Sequence, residues 1–494
     1  MNDVRKNPNE PDYPFLRFLN QERCSRVHEA TLQLLEKTGV WIDDPECLEM
    51  LRGAGARIIE TPARTGSRYN RRVQIPSSLV EEAIHTAPES VTIYNRQGQI
   101  AMVLADRNYY FGCHADNLYF IDPRSNERVK MGYKEIEKNT VLIDYLSNVD
   151  WVLSGANCHN FKLTLQDRAC AEAILKNTIK PIVFCPGSAE SITDITDMAA
   201  AIIGGHDTLR SKPYLICLDE PISPLLHNPE SIKQVFRCAE MGLPLIYVPM
   251  PIAGVTAPST MIGPVLVGNA ESLSGLVIHQ LRKKGAPYIY GALPSTADMR
   301  HGSFNFGAPE LSIMCSAIAD MAHYYKLPVW GTGGCCDSNA MDVQAGAESA
   351  VSLLSAVLAG ANLIHDVGLF SQGLCIAPGF HLLNNEIISM VKQLARGIEV
   401  NDETLCLDLI DEIGPGGNYI THEHTLANFR NMWIPKIFDR TNFETLEEID
   451  LLDAGGRAQK LAGEIIDTHK PEPISQDAMK TFNEVIERWH RDNE

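Results

Sequence analysis

The chain has 494 residues, 45% hydrophobic and 21% charged, proportions of a soluble globular protein with room for one large barrel plus appended regions. Forty-three Lys and Arg against 62 Asp and Glu give a net charge of −19, which excludes the clustered cations that nucleic-acid binding needs and gently attracts cationic small molecules. Thirteen cysteines without a CxxC pair argue for a reducing cytoplasm rather than a disulfide framework, and neither a signal-peptide core nor an apolar run of membrane-spanning length is expected.

Residues 1–108 read as an N-terminal helical or mixed cap region. Helices are expected over Glu22–Lys37 and, after Pro76, over Ser77–Thr86, followed by a short strand at Val91–Asn95. Asn108–Asp122 reads as paired strands, with Pro123–Asn126 as the turn that follows. From Trp151–Gly155 onward a repeat sets in. Five prolines, Pro181, Pro213, Pro244, Pro287 and Pro328, each head a short apolar run, and the ground between them reads as helix. Proline is tolerated at the first residue of a strand, where its missing N–H removes no ladder bond. Gly242 and Gly285 stand just before two of these prolines as helix caps. The helix between Asn228 and Met241 has Asn228 as N-cap, Pro229 at its first position and Glu230 at its positive end. Ala361–Asp366 supplies a seventh strand, and the eighth comes from Asn108–Asp122 or from the segment after Gly373. The fold class is therefore α/β, a (β/α)8 TIM barrel over residues 109–400, with added N-terminal and C-terminal helical regions. The last of these, 401–494, surrounds the loop Gly414–Asn418.

In such barrels the active site is built where the strands end. Read in order, the exits are Asn157-Cys158-His159, Cys185-Pro186, Asp219-Glu220, Pro249-Met250, Asp298-Met299-Arg300, Gly331 to Asp337, and His365-Asp366. Any one strand-end acid or histidine is as often a hydrogen-bonded structural group as a functional one. The glycine-rich exit matches neither the P-loop nor the dinucleotide spacing. Cys335-Cys336 behind Gly333-Gly334 invites another reading, since barrel betaine–homocysteine methyltransferases hold zinc with a Gly-Gly-Cys-Cys segment and a third cysteine. Cys158, Cys185 or Cys217 is then the candidate third ligand, and the metal would activate a thiol. Buried cysteine is also commonly a small hydrophobe.

Several ordered segments resemble one family along nearly the whole chain. They are Phe111-Gly112 with Leu118–Pro123, Met250–Pro258, Asp298–Arg300, Gly307–Glu310, Gly333-Gly334 with Asp337-Ser338 and Asp342–Gly346, Gly414–Gly417, and His424-Thr425. Together they resemble the trimethylamine methyltransferase superfamily, (β/α)8 barrels that move a methyl group from an amine to the cobalt of a separate corrinoid protein. Founding members carry pyrrolysine in the barrel. This chain uses only standard residues and resembles the branch associated with quaternary amines, glycine betaine first, then proline betaine or carnitine. Cys335-Cys336 departs from the family pattern and keeps the zinc alternative open.

The resemblance implies no tightly bound cofactor, a corrinoid (cobalamin) supplied by the partner protein, and a homo-oligomer working without nucleic acid or membrane. A quaternary ammonium leaves as a neutral tertiary amine, so neither a general acid nor a base is required and the protein's task is positioning in a dry pocket. A modest aromatic cage with one acid is expected, rather than a ring of carboxylates. The candidates are Tyr94, Phe370 and Phe380 as ring faces, and Glu310 as the acid. His365 and Arg300 are candidates to grip a substrate carboxylate; Gln344 and Asp337 line or support the site, and His114 sits at its rim. Besides the zinc-dependent thiol methyltransferase, a non-catalytic quaternary-amine binding protein is the remaining alternative.

Overall fold

The computed structural model describes residues 14–60, 70–442, 444 and 453–493. Eight parallel strands close into a barrel. In chain order they are β1 (Tyr110–His114), β2 (Trp151–Ser154), β3 (Ile182–Phe184) and β4 (Leu215–Asp219). There follow β5 (Leu245–Tyr247), β6 (Tyr288–Gly291), β7 (Val329–Thr332) and β8 (Leu363–Val367). The strand from the Asn108–Asp122 run is β1, and it closes the ring between β8 and β2.

The proline-headed runs become strands for a physical reason. Each proline lacks an N–H but keeps its carbonyl, and every one of the five carbonyls accepts a backbone bond. Val152, Cys217, Leu245 and Tyr290 donate to Pro181, Pro244, Pro287 and Pro328, and Tyr94 donates to Pro213. The helix expected at 228–241 forms over Pro229–Met241, with the Asn228 side chain accepting from Ser231 and Gly242 left-handed at φ 70°.

The expectation of paired strands in Asn108–Asp122 is corrected. Tyr119–Ile121 leaves the barrel and pairs instead with Arg128–Lys130 and Cys375–Ile376. Two adjacent apolar runs specify strand character but not their partners. This small sheet, with Leu369–Phe370, rims the mouth on one side. Ile252–Ala253, Ser295–Asp298 and Ser303–Phe304 form a second rim sheet.

The opposite end of the barrel is plugged. The hairpin Val91–Tyr94 with Ile100–Leu104 packs Val91, Ile93, Met102 and Leu104 into the cluster formed by the inward barrel side chains Trp151, Val183, Ile216, Ile246, Ile289 and Leu363. Further out, Ala454–Thr468 packs on Pro378–Ala395, and Gln476–Asn493 on Ala189–Ile203. The helices Asp402–Leu405, Leu407–Ile413 and Glu423–Asn428 bury none of their residues.

Candidate active site

With one end plugged, the barrel opens only at the ends where its strands exit, and a cavity of about 520 Å³ occupies that mouth. Its wall is drawn from nearly every strand exit: His114, Asn157, Cys185, Asp219 and Glu220, Met250, Leu293, His365 and Asp366. Among the described residues lining it are five carboxylates and no Lys or Arg.

Four of those carboxylates are already engaged. Asp116 is fully buried and accepts from the backbone N–H groups of Gly155 and Asn157 at 2.6 and 2.7 Å. Burial pushes its carboxyl up, and these bonds offset only part of that. Asp219 accepts from the Ser231 hydroxyl at 2.6 Å and, chiefly through burial, is pushed up to about 7. Glu230, in the first turn of its helix, accepts from the Ala189 N–H at 3.0 Å. Asp366 stands between two imidazoles: His114 Nε2 lies 3.1 Å from Oδ1 and His365 Nε2 lies 3.0 Å from Oδ2. Thr332 donates to Oδ2 at 2.6 Å. Burial works to raise the Asp366 carboxyl, but His365, His114 and Thr332 outweigh it and hold the group below the ordinary range. Asp366 also has φ 67°, a left-handed backbone unusual for a non-glycine residue and typical of functional sites.

Glu220 differs. It follows directly on β4 and is open to solvent because it faces the cavity, yet protein surrounds it. Desolvation, then the Asp366 charge, pushes its carboxyl up to about 7. No described residue hydrogen-bonds or ion-pairs with its side chain, so it is the carboxylate left for a ligand.

Two aromatic side chains complete the wall, Trp330 almost fully buried and Phe306 half-buried. Trp330 lies on β7 with its ring 5.3 Å from Trp151 inside the barrel and 4.2 Å from His365 towards the mouth. Phe306 belongs to the loop before helix Pro309–Tyr325 and is held there by the glycine-rich exit. The Asp337 carboxylate accepts from the backbone N–H groups of Phe306 and Gly307, each at 2.9 Å. The Asp337 N–H donates to Glu348 at 2.7 Å, and Gln344 donates to the other Glu348 oxygen at 2.7 Å. Cys335 Sγ lies 3.6 Å from the Phe306 carbonyl. The conspicuous Gly333-to-Asp337 segment is thus a clamp on the Phe306 loop.

Of the sequence candidates, His114 and His365 line the cavity and meet at Asp366. The role assigned to His365 is corrected, because its Nδ1 donates to the Gly331 carbonyl at 2.7 Å while Nε2 faces Asp366, leaving no ring N–H for a substrate carboxylate. Burial lowers its basicity. Arg300 is exposed in the turn after Ser295–Asp298 and takes no part in the cavity wall. Asp337 and Gln344 act outside the cavity, as links of the clamp. Glu310 is half-buried in the first turn of Pro309–Tyr325, also off the wall. Phe370 and Phe380 pack against each other in the core, ring centroids 5.6 Å apart and tilted by 56°. Strand alternation sends Leu369 into the cavity and its neighbour Phe370 to the other face. Tyr94 sits in the plug hairpin, bonded to Pro213 at the far end of the barrel.

Sequence reasoning missed Trp330, Phe306, Asp116 and the importance of Glu220. Asp219-Glu220 was visible as a strand exit. Trp330 lies within an apolar strand run and Phe306 in a loop, and neither position carries a signal distinguishing a wall from a core. The expectation of a single acid is corrected as well: five carboxylates approach one cavity, made tolerable because four have protein donors. For the zinc reading, the described residues contain no group of three or more His, Cys, Asp or Glu placed to hold a metal. Cys335 and Cys336 are fully buried, and their thiols contact the Phe306 and Ser338 carbonyls. Burial raises both thiols, against the thiolate a metal requires. Cys158, Cys185 and Cys217 are likewise free thiols outside any such group.

Fold and cavity together define a (β/α)8-barrel protein with an acidic, partly aromatic pocket at its catalytic end. The family model described as Trimethylamine methyltransferase (MTTB) matches residues 3–493. Trimethylamine methyltransferase MttB of Desulfitobacterium hafniense (strain DSM 10664 / DCB-2) is 31% identical over 468 residues, 95% of this chain and 93% of that one. Glycine betaine methyltransferase of D. hafniense (strain Y51) is 28% identical over 439 residues, 87% and 88% of the two chains. The crystal structure of the Methanosarcina barkeri monomethylamine methyltransferase (MtmB) aligns with TM-score 0.48 at 10% identity, covering 97% of this chain and 88% of that one. The chain belongs to the trimethylamine methyltransferase family and is a methyltransferase.

Proposed function

We propose that this protein takes a methyl group from a quaternary ammonium held at the barrel mouth and delivers it to the Co(I) of a separate corrinoid protein. The observation that carries the reading is the unpartnered Glu220 carboxylate in a cavity that Trp330 and Phe306 also line and whose described wall has no Lys or Arg. A permanent cation is the ligand such a wall suits. The likeness to trimethylamine and glycine betaine methyltransferases supports the same donor class.

The acceptor metal supplies the electron pair for the new bond to carbon, and the C–N pair stays on nitrogen as the neutral tertiary amine departs. The chain's own residues have a limited task. Glu220 and the ring faces orient the N–CH3 axis towards the opening, and Leu218, Val248 and Leu293 keep the floor apolar. Because positive charge on nitrogen fades in the transition state, an overly strong cage favours the ground state. The engagement of four acids by protein donors fits that requirement, leaving one for the cation. Asp366 positions His114 and His365 along the same wall.

Glycine betaine, first among the donors the resemblance implies, carries a carboxylate for which the described wall offers no Lys or Arg. The test of the transfer reaction is direct. Mixing this protein, a panel of methylated ammonium donors and a Co(I) corrinoid protein is expected to consume the Co(I) absorption and release one tertiary amine per methyl moved. Absence of any spectral change with every donor contradicts the proposal.

A further inference from the structure

We infer that the donor is a quaternary ammonium whose remaining arm carries no carboxylate, so that choline-like cations are preferred to betaines. The inference deepens, and rests on, the reading of the cavity as the methyl-donor site. Its first support is charge. Asp116, Asp219, Glu220, Glu230 and Asp366 all line the cavity, and no described lining residue is Lys or Arg. A betaine would bring a further anion among them. A like charge about 6 Å from Glu220 weakens binding by roughly tenfold to a hundredfold at the effective dielectric of such sites.

The second support is the polarity of the hydrogen-bonding groups. A carboxylate needs donors, and several on this wall are already engaged by the protein. The amide nitrogens of Asn117, Asn157 and Gln234 donate to the carbonyls of Gly373, Gly155 and Pro186. The Ser231 hydroxyl donates to Asp219, and His365 Nδ1 to Gly331. His114 directs Nε2 at Asp366. The groups without a described partner include the acceptors Asn157 Oδ1, Gln234 Oε1 and the Glu220 carboxylate, and the neutral donors Trp330 Nε1 and Asn228 Nδ2. The described wall thus offers a carboxylate neutral donors but no Lys or Arg to balance its charge against the five acids, which favours a cation with a neutral arm.

Calorimetric titration of the full chain, without the corrinoid protein, separates the possibilities. The probes are choline, glycine betaine and 3,3-dimethylbutan-1-ol, the uncharged carbon analogue of choline. Choline is expected to bind at least tenfold more tightly than glycine betaine, and the uncharged analogue at least tenfold more weakly than choline. Glu220→Gln, checked for folding by circular dichroism, is expected to weaken choline more than glycine betaine and so close the gap. Glycine betaine binding as tightly as choline, or more so, overturns this inference and leaves the proposed methyl-donor site standing. An unchanged gap in Glu220→Gln overturns the part given to Glu220. Equal affinity for choline and the uncharged analogue, or no binding of either cation, overturns the cation-site reading and this inference with it.

Discussion

Glu220 sits in an unfavourable position for an acid that has no partner. Desolvation and the neighbouring Asp366 raise its carboxyl to about 7, and the groups that share the cavity with it are Asp116, Asp219, Glu230 and Asp366 together with His114 and His365. A bound cation favours the ionised form and so lowers that value. The sign follows: affinity for a quaternary ammonium rises as pH increases through about 7, levels off above it and falls below it. Titrations from pH 5.5 to 8.5 check this, and protons are released on binding near neutrality. Glu220→Gln is expected to flatten the profile partially, because Asp219 also titrates near 7. A profile unchanged by the substitution would remove Glu220 from the cation contact. Phe306 offers a ring face without core burial, so Phe306→Leu is expected to lower affinity by about 2- to 30-fold, the range of one cation–π contact.

The element that carries Phe306 is a loop, and its placement depends on the Gly333–Asp337 clamp. Asp337→Ala removes both acceptors of the Phe306 and Gly307 N–H groups and is expected to weaken binding through the ring alone. A double-mutant cycle measures this. Once Phe306→Leu is present, adding Asp337→Ala should change affinity by less than twofold, because the two act through one contact. Full additivity would show that Asp337 touches the ligand by another route. What the sequence revealed of such elements was uneven. Helix 229–241 could be read to the residue, because its cap, its first-turn proline and its terminal glycine are local signals. The partner of a short strand is not local. Phe370 was placed one residue from the cavity position that Leu369 holds, since an apolar pair does not say which member faces inward. Tyr94 fails for a larger reason: only the closed barrel reveals that its hairpin lies at the plugged end.

Across the whole molecule the proline-headed repeat made the barrel legible, because buried parallel strands leave continuous apolar runs at a regular period. The closing strand was harder, as β1 precedes the repeat and has no proline to mark it. Gly112 on that strand shows how tightly the closure is built: a Cβ there would stand 2.3 Å from the Trp151 ring. Gly112→Ala is therefore expected to destabilise the fold by about 1–3 kcal/mol, measured by denaturant unfolding, and to disturb the stack running from Trp151 through Trp330 to His365. A neutral outcome would mean that the Trp151 ring has room to move. The cavity chemistry, by contrast, arises only when the strand exits meet. Five acids scattered between residues 116 and 366 carry no common signal in the sequence, and their engagement by distant donors is a product of the fold. The measurement that bears most directly on the barrel mouth as the donor site is a crystal structure with choline bound. The trimethylammonium group is predicted beside the Glu220 carboxylate and within about 6 Å of the Trp330 ring centroid; choline bound anywhere else, with the mouth holding only water, would contradict the account.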